Sequence, residues 1–167
     1  MHPNRKWVFV AKYTSGHVAS LAVLTDGGMG AVIDTMLVGT NAHMVLTNSA
    51  ETRLYVPCLG ANHVANYDID PATGQLTAKT LVAMATAGAG PRHMAFTSDE
   101  THAYVINELN STMSRFVHNP TSGALTSEVA VTSLPASFMG TNTCAHVVVS
   151  KDNLTLYGSY RGHDSIV

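Results

Sequence analysis

Short runs of β-branched and aromatic residues alternate with Gly, Pro, Asn, Asp and Ser clusters along the whole chain, and the runs recur as units. Four segments align: Trp7 to Val18 (WVFVAKYTSGHV), Leu54 to Val64 (LYVPCLGANHV), Ala103 to Met113 (AYVINELNSTM) and Leu156 to Ile166 (LYGSYRGHDSI). Phe9, Tyr55, Tyr104 and Tyr157 mark equivalent places, 46, 49 and 53 residues apart, and Val18, Val64, Met113 and Ile166 repeat those intervals. Within the third unit the pattern predicts strands over His93 to Thr97, Thr101 to Asn107, Thr112 to His118 and Leu125 to Thr132. A turn at Asn119 to Gly123 (NPTSG) has its counterpart in the second unit at Asp70 to Gly74 (DPATG).

Four antiparallel strands in a repeat of this length are the signature of a propeller blade. No window carries apolar residues at helical spacing without a Gly, Pro or Thr/Val cluster interrupting it, which excludes a helical solenoid. The expected fold is therefore all-β, a β-propeller of four-stranded antiparallel blades amounting to about half of a closed ring. The blades are expected at 1–38 (incomplete), 39–88, 89–137 and 138–167 (incomplete). His2 to Arg5 matches the turn before a second strand, and Val167 falls inside a third. The segment thus reads as part of a longer chain, and if it were truly this short its open blade edges would invite self-association.

Of the 167 residues 46% are hydrophobic and only 12% charged, which indicates a folded core. A net charge of -2 with no Lys/Arg cluster argues against a nucleic-acid partner. No apolar stretch is long enough for a spanning helix, and Met1 to Lys6 lacks the apolar segment of a signal peptide, so no membrane association is expected. Cys58 and Cys144 stand far apart, as two buried thiols would, and favour a reducing, cytoplasmic setting.

In a blade the start of the innermost strand and the end of its hairpin partner meet on one face of the disc. That rule gathers Asn41 to His43, Gly90 to His93 with Asn107 and Glu108, and Asn142 to His146 with Tyr160 and Arg161. Two of the five arginines and one of the four glutamates fall there. Guanidinium groups, a carboxylate and imidazoles together suit anion binding and proton transfer. A simple salt bridge between blades, with Glu108 as the partner, is the structural alternative for the arginines. The nine histidines show no paired metal-ligand spacing, and His17, His63 and His163 recur at one blade position, so no metal or other cofactor is expected. Asp68, Asp70 and Asp164 read as turn or solvent-facing groups, and the loop Ser137 to Asn142 as a lid or an insertion.

The motifs Gly-Pro-Arg-His (90–93), Asn-Glu-Leu (107–109), Arg-Gly-His-Asp-Ser-Ile (161–166) and Leu-Tyr-Val-Pro-Cys-Leu-Gly (54–60) resemble the lactonase family of seven-bladed propellers. The resemblance runs over essentially the whole chain. It implies hydrolysis of a sugar-acid lactone, 6-phosphogluconolactone first, with a small anionic substrate as partner. By the same resemblance His43, Arg92, Glu108 and Arg161 are the catalytic set and His93 is a family feature; with His93, the rim positions Asn107, His146 and Tyr160 are the expected substrate-binding neighbours. A carboxymuconate-type lactonizing cyclase and a non-catalytic binding propeller are the alternatives. Asn41, His146 and Tyr160 depart from the family pattern, which has His, an acidic residue and Asn there.

Overall fold

A computed structural model describes residues 6–84 and 86–167; the turn expected at His2 to Arg5 lies outside the described residues. Among the described residues every element is a β-strand, and every pairing is antiparallel. The first sheet holds β1 (Trp7–Lys12), β2 (His17–Val23) and β3 (Met29–Leu37) in that order. A second runs β4 (Leu46–Thr47), β5 (Arg53–Cys58), β6 (His63–Ile69) and β7 (Leu76–Ala83). The third runs β8 (Pro91–Phe96), β9 (His102–Asn107), β10 (Thr112–His118) and β11 (Leu125–Thr132). The fourth pairs β12 (Thr143–Val149) with β13 (Leu156–Arg161), and an isolated bridge from Ser159 to Ile166 opens a further strand.

The repeat is visible in the backbone itself. Ladder register slips after Ser20, Asn66 and Arg115, the fourth residue of β2, β6 and β10 respectively. A bulge at one fixed place adds local twist, which these stacked sheets share. The turns expected at Asp70 and Asn119 form: the Asp70 carboxylate accepts from the Ala72 amide at 2.8 Å, and the Asn119 side chain from the Thr121 amide at 3.0 Å. Both close on a glycine with φ of 75°, Gly74 and Gly123, where a side chain would be strained.

Alternation along the strands divides the core into layers between sheets. Phe9 and Val18 pack on Leu54, Val56, Ala65 and Tyr67 between the first two sheets. Tyr55 and Val64, on the opposite face of the second sheet, meet Met94, Ala103, Val105 and Phe116 of the third. Ile106 and Met113 then meet Cys144, Val147 and Tyr160 of the fourth. The second and third sheets are therefore covered on both faces, which is why β5 and β6 read as nearly continuous apolar runs. By contrast Val10, Val32 and Leu37 of the first sheet are exposed, as are Val148, Tyr157 and Ile166 around the fourth. Asp68, expected as a turn or solvent-facing group, lies in β6, part-exposed, and pairs with Arg53.

Candidate active site

Each site residue is delivered by the end of an inner hairpin. His43 precedes β4, and its amide donates to the Pro57 carbonyl at the end of β5 (2.9 Å). Arg92 stands in β8 where the register slips between Pro91 and His93, and Ala145 and His146 occupy the corresponding irregularity of β12. A bulge turns a side chain away from the regular ladder direction, and here it turns these residues to the rim. Glu108 follows β9, held by its amide on the Gly90 carbonyl at 2.7 Å, and Arg161 ends β13.

Glu108 joins the two arginines. Arg92 Nε donates to its Oε2 at 2.7 Å, and Arg161 Nη2 lies 2.9 Å from its Oε1. Arg92 also donates through Nη1 to the Ala145 carbonyl and to His93 Nε2, and Arg161 Nη2 donates to the Cys144 carbonyl. The two cations differ in access: the Arg92 side chain is 16% exposed and that of Arg161 49%. Both of the Arg161 contacts run through one nitrogen, which leaves guanidinium surface available to an anion.

Beside this triad runs an edge-to-face ladder of rings. Tyr13 meets His43 at 5.5 Å between centroids, His43 meets His93 at 5.2 Å, and His93 meets His146 at 4.9 Å. One ring comes from each of the four sheets. Burial first and Arg92 second hold His43 below the ordinary imidazole value of 6.5. The same two causes, reinforced by His146, His43 and Arg161, lower His93 to about 4. Both imidazoles are therefore neutral at neutral pH. His43 Nδ1 is buried with no hydrogen-bond partner among the described residues.

Six of the eight expected residues, His43, Arg92, His93, Glu108, His146 and Arg161, gather at this rim. Two do not face it. Asn107 is fully buried, and its amide nitrogen donates to Thr112 Oγ1 (2.8 Å) and Ser114 Oγ (2.9 Å) inside the third sheet. Tyr160 lies in the core layer between the third and fourth sheets, with its hydroxyl on Ser133, and burial pushes its pKa up to about 12. Strand alternation explains the second case, because Tyr160 and Arg161 must point to opposite faces. Asn41 has a left-handed backbone with φ of 58°, a conformation Asn tolerates better than most residues. His63 Nε2 donates to the Val38 carbonyl that follows the preceding sheet (2.7 Å), a structural role in line with its place in the repeat. Among the described residues no three His, Cys, Asp or Glu side chains are arranged to hold a metal ion. No helix among the described residues is long and apolar enough to cross a membrane.

Tyr13 is the rim residue that sequence reasoning missed. The repeat spacing contained the signal, since it carries Tyr13 onto Leu59, Glu108 and Arg161 in the later units. In the loop Ser137 to Asn142, Phe138 packs edge-on against His163 (4.9 Å) while Met139 is exposed. A hollow of about 830 Å³ lies between β1, β2 and the turn that follows, away from this rim.

Radially packed antiparallel sheets with a cationic, imidazole-lined inner rim define a propeller segment. The family described as "Lactonase, 7-bladed beta-propeller" matches residues 1–167, and the chain belongs to it. A 6-phosphogluconolactonase of Serratia proteamaculans is 34% identical over 158 residues, covering 93% of this chain and 47% of the relative. The solved periplasmic gluconolactonase of Pseudomonas aeruginosa superposes with a TM-score of 0.89 at 28% identity, over 100% of this chain and 50% of that one. A Lactobacillus plantarum protein of solved structure reaches a TM-score of 0.91 at 28% identity, over 98% of this chain and 50% of its own. The chain spans about half the length of the relatives it matches.

Proposed function

We propose that the full-length protein hydrolyses a sugar-acid lactone, 6-phosphogluconolactone being the first candidate. The observation that carries this reading is Glu108 bridging Arg92 and Arg161 beside the neutral imidazole of His43. The name of the Serratia relative supplies the substrate.

Arg161, the more exposed cation, binds the anionic group, and the guanidinium pair faces the carbonyl oxygen as negative charge develops on it. Water attacks the carbonyl carbon and gives its proton to His43. The bond to the ring oxygen then breaks, and that oxygen takes the proton back from His43. Both Glu108 oxygens are engaged by arginines, so the base role goes to His43 and Glu108 holds the cations in place. In the full-length chain lactone opening should exceed the spontaneous rate, and Glu108→Gln should reduce it on the order of a hundredfold. Equal rates for the two proteins would end this assignment.

The exposed apolar faces of the first and fourth sheets are where further blades would pack, so activity belongs to the whole chain. Both cysteines are free and buried, which supports a cytoplasmic site of action.

A further inference from the structure

His93 and His146 stand at equivalent places on β8 and β12, one repeat spacing of 53 residues apart. Their Nδ1 atoms are 2.7 Å from each other. In a hydrogen bond between two ring nitrogens only one of the pair carries the hydrogen. Its owner is decided on the far side of His93. An arginine has donors and no acceptor, and Arg92 Nη1 lies 3.2 Å from His93 Nε2, so that nitrogen offers a lone pair. His93 therefore carries its hydrogen on Nδ1 and donates it to His146 Nδ1. His146, accepting there, carries its own hydrogen on Nε2. Arg92 is fixed in turn by Glu108 and by the Ala145 carbonyl. The relay runs one way, from guanidinium through two imidazoles to an exposed N–H.

We propose that His146 is a specificity-determining residue of this site, held as an Nε2–H donor by the relay and offered to a hydroxyl or anionic oxygen of the bound ligand. The ligand class rests on the reading given under Proposed function; the direction of the relay does not. His146 is exposed and borders the hollow of about 460 Å³ walled by the inner strands β4, β8 and β12. Its amide is fixed by Ser159 Oγ at 3.0 Å, so backbone and ring are both set before a ligand arrives. A donor aimed in advance needs no reorganisation on binding. The relay also disfavours a metal ion between the two Nδ1 atoms. Ligation would send the His93 hydrogen to Nε2, directly against the Arg92 N–H.

The test uses the full-length chain, isotope-labelled on its histidine nitrogens, at neutral pH, with 6-phosphogluconate as the probe. Nuclear magnetic resonance should find His93 protonated on Nδ1 and His146 on Nε2, and the probe should shift the His146 Nε2 resonance. His146→Ala should raise KM roughly tenfold, the value of one lost hydrogen bond, with kcat held within about twofold. His146→Gln, which restores an N–H near the Nε2 position, should recover most of the loss. A His93 hydrogen on Nε2, an unmoved His146 resonance, or a Gln variant no better than Ala would each overturn the proposal. A wild-type chain that shows both tautomers and the shift but opens no lactone would overturn the hydrolytic reading alone.

Discussion

Two polar clusters join neighbouring sheets in this molecule, and they differ in what surrounds them. Between the second and third sheets, the Tyr55 hydroxyl lies 2.7 Å from His118 Nε2, and His118 Nδ1 donates to the Glu100 carbonyl at 2.5 Å. Asn66 donates to the Gly123 carbonyl at 2.7 Å in the same enclosed space. Between the third and fourth sheets, Arg92, Glu108 and Arg161 use equally short bonds, yet Arg161 and His146 stay open to solvent. Enclosed groups with mutual partners hold sheets together, and a paired group that keeps an exposed face can also act on a ligand. The salt-bridge role and the functional role of the arginines are thus compatible.

The comparison breaks most readily at the arginines themselves. Arg92 is enclosed and forks to three partners, a geometry that a lysine ammonium cannot reproduce. Arg92→Lys should lower kcat/KM on the order of a thousandfold, and Arg161→Lys, at the exposed position, only about tenfold. Steady-state kinetics on the full-length chain measure both, and equal losses would remove the distinction between the two cations.

A smaller effect of opposite kind is expected in the enclosed cluster. Tyr55→Phe leaves buried His118 Nε2 without its donor and should cost about 1–3 kcal/mol of stability, read from denaturant unfolding. Catalysis should stay within about twofold, because the cluster does not touch the rim. A Tyr55 variant with full stability and depressed activity would reverse the assignment of the two clusters.

The mildest expected signal is in pH. His43 must be neutral to accept a proton, and burial together with Arg92 lowers its pKa, so activity should persist to lower pH than an ordinary imidazole base allows. The acid limb of kcat/KM should fall below 6.5, and a limb above that value would exclude His43 as the base. Stability follows the same sign. The unfolded chain protonates His93 near 6.5 and the folded one only near 4, so stability should decline as pH falls through that window. His93→Asn should flatten the decline.

Legibility in the sequence followed periodicity. The third sheet's strands appear within a residue or two of their expected limits, because alternation and turn residues act locally. The rim set of His43, Arg92, Glu108 and Arg161 was legible as four positions at hairpin ends. Asn107 was misjudged because adjacency to Glu108 in sequence carries no information about which way each side chain turns. Tyr160 was misjudged where simple alternation with Arg161 pointed inward. Tyr13 was overlooked because its unit carries an aromatic residue where later units carry charge.

By itself the sequence determined the repeat, the strand positions, the turns and the end of each hairpin at which charged residues collect, since all of these depend on neighbours a few residues apart. Only the tertiary structure decided that Glu108 binds both arginines, that His43 and His93 are neutral, and that the hydrogen-bond relay ends on His146. Those properties arise between sheets, from burial and from nitrogens 2.7 to 3.2 Å apart that lie 1 and 53 residues apart in the chain. A charge feels its surroundings in space, and no pattern along the chain states how deeply it is enclosed.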